Sequence, residues 1–439
     1  MGVSRRQPRG SMHFRLKPPL LLLAFLSLPA LILADDVAIT GARIEIGNGS
    51  VIAAGTVVIH DGLFVAVGEN VAPPPGAQII DGKGLVVYPG FIDAYKTSGL
   101  KLPNAPTSER APDSRNTAPA TMWHGNRKGI RSDILCAKAL DLKSLVQSNY
   151  KAGVTTALLS PGSGPVAGIS TIVDYTETGT VVTPQAAAEL SFRNGGSGAG
   201  YPGTLFGVIA LLRQTLADAQ YYAAQEAPKK DDALENLRPL ITGKLPALFS
   251  ADSAREIVRA TRVADEFSLR LLILGGREAY RDLDLLKSKN LPVLVTLDIG
   301  DDPTKPTSTP PTPNPDGPPK AVLDERHDTW LDHSLNIKKL SDAGVPFAFT
   351  SVGLSAGIDG YLKAIRTIIG TGVPRDVALK AVTSESALLL GISEKVGTIE
   401  PGKIANLAVF NGDFADAKSE VQFVLVEGKK VDIKKAGSK

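Results

Sequence analysis

The apolar period of this chain changes twice along its length, and that change constrains the fold more than any single motif does. Residues 37–39, 43–46, 57–60 and 64–67 are short β-rich runs, separated by Asn48-Gly49 and Asp61-Gly62. Such dipeptides favour tight hairpin turns, so this end is predicted to form paired strands. The same texture returns after Gly397, where 405–410, 421–426 and 430–433 read as strands and Glu427-Gly428 supplies a turn. Between the two ends the pattern is helical and apolar by turns. Ser253-x-x-Glu256 is a capping box opening a helix whose Ile257, Ala260, Val263, Ala264 and Phe267 share one face, and 271–274 follows as a buried strand. Strand 291–297, a helix over 331–342, strand 345–350 and a helix over 358–369 continue the rhythm, which predicts parallel βα units. An open doubly wound sheet shares this local signature, but a (β/α)8 TIM-like barrel suits the length better. The expected organisation is therefore α/β, with a barrel over 89–396 and a small β-sandwich built from both chain ends, 35–88 and 397–439.

The first 34 residues follow a different logic. Arg5, Arg6, Arg9, Arg15 and Lys17 precede an apolar run over 20–34 that is interrupted by Ser27 and Pro29 and followed by Asp35 and Asp36. That order is the order of a secretory signal peptide. A membrane anchor needs about 20 apolar residues without a helix breaker, and this run is shorter and contains a proline. Ala30 and Ala34 both suit the position before a cleaved bond, although Ile32 is larger than the rule prefers. A start at Met12 would leave a compact basic head from His13 to Lys17. The expected location is exported, periplasmic or extracellular, with no membrane anchor after cleavage.

Five of the 48 basic residues and none of the 45 acidic ones lie in this leader, so the net charge of +3 becomes about −2 in the mature chain. No basic stripe remains, and nucleic acid is not an expected partner. Cys136 is the lone cysteine, which excludes an intramolecular disulfide and a multi-cysteine zinc site. Of the five histidines, His13 lies in the leader, and His60, His124, His327 and His333 include no pair two apart on a strand. His327 and His333 flank Trp330 beside a Pro- and Thr-rich stretch, 301–320, that is expected to be an irregular insertion at the barrel mouth, a solvated loop or a lid. They suit a loop-to-helix surface better than a metal site. The glycine run 195–200 lacks the lysine and hydroxyl of a phosphate loop and is expected only to bend the chain.

The run Tyr88-Pro89-Gly90-Phe91-Ile92-Asp93-Ala94-Tyr95-Lys96-Thr97 resembles the Pro-Gly-x-Ile-Asp-x-His-x-His motif ending the first barrel strand in the amidohydrolase superfamily, particularly its imidazolonepropionase-like members. Residues 245–251 resemble that superfamily's fifth strand, and 275–280 the turn after its sixth. Thr383–Gly391 with Gly397-Thr398-Ile399-Glu400-Pro401-Gly402-Lys403-Ile404-Ala405-Asn406-Leu407 resembles the closing segment, where aspartate is usual in place of Asn406. The resemblance implies metal-dependent hydrolysis of carbon–nitrogen bonds other than peptide bonds, with zinc as the family cofactor. It also implies where the ligands should stand, and there the sequence holds Tyr95, Thr97, Ser250 and Val352. None is an imidazole or a carboxylate, so no metal and no catalytic residue of the family type is expected. Tyr95, Lys96, Glu278 and Ser351 are the polar residues left near the mouth, and Lys96 alternates to the far side of its strand from Tyr95.

The resulting expectation is a metal-free, catalytically impaired barrel that serves as a binding or partner protein, taking a small-molecule ligand or supporting an active homologous subunit. The alternative is an active hydrolase of cyclic amides or dipeptides working through an altered site.

Overall fold

The computed structural model describes residues 36–103, 129–162, 164–194, 202–303 and 318–433. The leader, His124, the glycine run 195–200 and most of the insertion lie outside the described residues. The described part belongs to one compact unit, and none of its helices is long and apolar enough to cross a membrane.

The two chain ends meet in one eight-stranded sheet. From the N-terminal end come β1 (Val37–Glu45), β2 (Val51–His60), β3 (Leu63–Gly68), β4 (Gln78–Asp81) and β5 (Val86–Pro89). A register shift at Gly41, φ 70°, kinks β1, so that it pairs in parallel with β4 over 37–40 and with β5 over 43–44. The other end of the chain supplies three more strands at Leu407–Phe410, Val421–Val426 and Lys429–Asp432, the first of which joins β5 antiparallel. The apolar side mixes both ends: Ile39, Ile59 and Phe64 pack with Leu407 and Leu425. The expected meeting of the two chain ends is present as one eight-stranded sheet whose ladder runs through β5, with β4 branching from β1.

The second eight-stranded sheet is the barrel: β6 (Phe91–Lys96), β7 (Val154–Leu159), β8 (Val166–Asp174), β9 (Thr180–Ser191), β10 (Ala247–Ala251), β11 (Leu271–Gly275), β12 (Val293–Thr296) and β13 (Phe347–Thr350). The three C-terminal strands are accordingly β14 to β16. The full (β/α)8 rhythm is not what forms. Strand β8 runs antiparallel to both neighbours, because 160–165 and 175–179 are shorter than the dozen or so residues a parallel crossover needs. From β9 onward the strands are parallel and helices intervene as expected.

Those helices are, after α1 (Val146–Lys151) ahead of β7, α2 (Leu205–Ala223), α3 (Asp232–Ile241), α4 (Ala254–Glu266), α5 (Leu283–Ser288), α6 (Lys320–Ser334), α7 (Asn336–Ala343), α8 (Tyr361–Gly370), α9 (Arg375–Ala381) and α10 (Ser384–Leu389). The capping box is present: Glu256 N donates to Ser253 Oγ at 3.3 Å and Ser253 N to Glu256 Oε2 at 3.0 Å. The helix expected over 331–342 is two helices that break at Leu335. There the Asn336 amide turns to bond Gly276 O and Tyr280 N, both at 2.9 Å, and anchors the loop after β11.

Inside the barrel, Ile92, Leu158, Leu248, Leu272, Leu294 and Ala348 form an apolar cluster, and Ala387 and Leu390 of the α10 region join it. Strands β6 and β13 close the cylinder without a backbone ladder between them. Asp93 of β6 closes the seam, accepting from Ser351 N at 2.9 Å and Ser351 Oγ at 2.5 Å.

Where barrel and sheet join, Asp174 is buried beside Thr156, whose hydroxyl donates to it at 2.6 Å, and its Oδ2 has no partner among the described residues. Burial lifts its pKa from 3.8 to about 6, against the hydrogen bonds from Thr156 and Asn406. An aspartate at 406, as the family resemblance would have it, would set a second carboxylate beside Asp174. The folded state holds the Asp174 proton more tightly than the unfolded chain, so stability falls as pH rises from about 4 to about 6. Asp174→Asn should therefore raise stability at pH 7.5 by about 2 kcal/mol and leave it unchanged near pH 3.5. Urea titrations across that range check this, and an equal effect at both pH values would refute it.

Candidate functional site

The C-terminal ends of parallel barrel strands carry the active sites of TIM barrels, and β6, β7, β9 and β10 to β13 all present that end to one mouth. At β6 the register slips between Asp93 and Lys96, which breaks simple alternation and turns Tyr95 inward to join Ile92 and Ala94 in the interior cluster. Lys96 points the other way, as expected. It is buried against α1, with Nζ donating to Asn149 Oδ1 at 3.0 Å, and desolvation lowers its pKa despite nearby Asp93.

Just inside the mouth a carboxylate that sequence reasoning missed organises the chemistry. Glu189 on β9 is 2% exposed. Its Oε1 accepts from Tyr95 Oη at 2.8 Å, and its Oε2 accepts from Ser160 Oγ at 2.5 Å and Gly162 N at 3.0 Å. With the Ser160 proton so committed, Ser170 is the donor in the 2.7 Å contact between the two hydroxyls. Burial pushes the Glu189 pKa up while its three donors pull it down. The same burial, reinforced by Glu189, holds the Tyr95 phenol well above its ordinary pKa and raises Cys136 to about 12.

The four positions singled out from the sequence are not equivalent. Thr97 lies past the end of β6 and is exposed, but it faces the knot: a Cβ on Gly162 would meet Thr97 Cγ2 at 2.6 Å and Tyr95 Oη at 3.7 Å, so glycine is required there, at φ 90°. Val352, two residues beyond β13, packs on the interior cluster that holds Tyr95. Ser250 is half-buried on β10 and pairs in register with Ser191 of β9.

Around the rim runs a belt of alternating charge, each member one or two residues past a strand. Arg193 follows β9 and reaches Asp252 after β10 at 3.4 Å; Arg277 follows β11 and reaches Asp298 after β12 at 2.9 Å. Burial raises the Asp252 pKa, with Arg193 and Arg277 opposing. A Cβ on Gly275 would lie 2.2 Å from Asp252 Oδ1, so this glycine makes room for the belt. Glu278 is drawn off to cap α4, accepting from Ala254 N at 3.0 Å.

These residues do not fit a zinc ion. Tyr95 is committed to Glu189, both Glu189 oxygens are engaged, Thr97 and Ser250 offer only neutral hydroxyls, and Val352 has no donor atom. Among the described residues no group of three or more His, Cys, Asp or Glu side chains could hold a metal ion. His327 pairs with Asp302 at 3.1 Å and stacks on Trp330, whereas His333 faces the Tyr280 ring 6.3 Å away, so helix α6 does not bring the two imidazoles together. His60 sits on β2 against Asp36 at 2.5 Å.

A barrel joined to a sheet shared by both chain ends is an amidohydrolase-type architecture, and comparison bears this out at the level of fold. Residues 331–431 match the Amidohydrolase family. The structure of an amidohydrolase from Thermotoga maritima MSB8 superposes with a TM-score of 0.72 at 23% identity, over 90% of this chain and 99% of that one. A Xaa-Pro dipeptidase with methionine bound in its active site gives 0.53 at 16% identity, over 91% and 100%. Molinate hydrolase gives 0.52 at 15%, over 91% and 95%. A search among curated proteins finds no match.

Proposed function

We propose that this chain is an exported member of the amidohydrolase superfamily, akin to its imidazolonepropionase-like group, that has exchanged metal-dependent hydrolysis for a binding or partner role. The observation carrying this reading is the Glu189 knot. Where the resemblance expects the first strand to offer imidazoles to an ion, Tyr95 instead closes a hydrogen-bonded cluster with Glu189, Ser160 and Gly162. Packing Tyr95 and Val352 on an apolar interior leaves a stable barrel whose outer rim, the Arg193, Asp252, Arg277 and Asp298 belt, remains for contact with a small-molecule ligand or an active homologous subunit.

Elemental analysis of protein purified without chelator, and again after excess zinc, should give zinc well below one per chain, with the same thermal midpoint in the presence and absence of EDTA. Hydrolysis of dipeptides and cyclic amides should stay at the uncatalysed rate. Stoichiometric zinc, or turnover abolished by EDTA, would replace this reading with that of an active hydrolase.

A further inference from the structure

At the end of the barrel opposite the mouth lies a cavity of about 520 Å³ that the Glu189 knot and the charge belt do not involve. Its position follows from the fold. Pro246, Arg270 and Pro292 immediately precede β10, β11 and β12, so their side of the cavity is the N-terminal edge of the barrel. The opposite wall is the end of α10 and the turn after it, residues 388–391. Between these walls the cavity reaches Leu158 and Leu272, both members of the barrel's interior cluster. The volume is within the range of about 300–1,000 Å³ usual for small-molecule sites.

The lining has two ends of different chemistry. Deep in, Leu158, Leu272 and Leu390 make it apolar, and Leu388, 60% exposed, extends the apolar surface to the lip. Three charges also line it. Lys289 is neutralised by Asp265, whose two oxygens lie 2.8 and 3.0 Å from Nζ. Arg270 is exposed at the rim and pairs with no carboxylate among the described residues, so the cavity opens beside one uncompensated positive charge.

We infer that this cavity is a binding site for an apolar carboxylate, an acyl chain seated toward Leu158 and Leu272 with its head group on Arg270. A guanidinium is suited to this pairing because its planar fork can bond both carboxylate oxygens, while the chain removes apolar wall from water. The site is independent of whatever the mouth binds.

Decanoate titrated calorimetrically into the full chain is the test, with decanol as the uncharged comparison. One decanoate should bind per chain, about tenfold tighter than decanol. Arg270→Ala should remove that advantage and leave decanol binding unchanged. Leu388→Glu, at an exposed position where folding is not at risk, should weaken decanoate more than decanol, because it takes apolar surface from both and adds a like charge only against the carboxylate. Absence of decanoate binding, equal binding of decanoate and decanol, or indifference of decanoate to both substitutions would each overturn the assignment. Circular dichroism of both variants keeps a loss of fold from being counted as a loss of binding.

Discussion

Glu189→Ala is expected to destabilise the protein by about 4 kcal/mol, a loss at the upper end for single substitutions. The carboxylate accepts from the Tyr95 and Ser160 hydroxyls and the Gly162 amide. Removing it leaves the two buried hydroxyls without their acceptor, each at about 1–3 kcal/mol before relaxation, and frees the half-buried Gly162 amide. Tyr95→Phe withdraws a single donor and should cost about 1 kcal/mol, and the double variant should cost less than the sum because the two share one bond. Urea unfolding of the three variants measures this directly. If Glu189→Ala proved nearly neutral, water would have to reach the knot, and Glu189 would again be available for chemistry.

The second large effect is expected at the barrel seam. Asp93 is fully buried and bonded twice by Ser351, and its carboxylate opposes, without overcoming, the desolvation that lowers the Lys96 pKa. Asp93→Ala leaves the Ser351 amide and hydroxyl buried without their acceptor and should cost about 3 kcal/mol. Asp93→Asn keeps an acceptor for Ser351 and should cost distinctly less. Both variants remove the charge, so a loss in Asp93→Ala no greater than in Asp93→Asn would mean that the acceptor for Ser351 contributes nothing.

The parts of the fold legible in the sequence were those with a clear period or a local device. Strand and helix alternation from β10 onward, the Ser253 and Glu256 capping box and the hairpin turns at both chain ends all depend on neighbours in sequence. The β7 to β9 meander was not legible, because its buried Thr155, Thr156, Ser170 and Thr171 blur the contrast between faces and β9 carries a proline at position 184. Glu189 was invisible for a related reason. A lone carboxylate after Ala186, Ala187 and Ala188 reads as a solvated residue, and its partners Ser160 and Tyr95 stand 29 and 94 positions away. The opposite directions of Tyr95 and Lys96 were legible from strand alternation, but the register slip at β6 that sets Tyr95 beside both Ile92 and Ala94 was not, because no local pattern announces it.

The seam has a further consequence for how the chain reaches its native state. The β7, β8 and β9 hairpins join residues close in sequence, whereas Asp93 and Ser351 are separated by 258 positions and are not assisted by a backbone ladder. Loop-closure entropy places such a contact after the local ones. Closure of the cylinder is then a late event, and Asp93 controls how long the finished barrel stays shut more than how fast it assembles, so that weakening it shortens the native-state lifetime while the refolding limb barely moves.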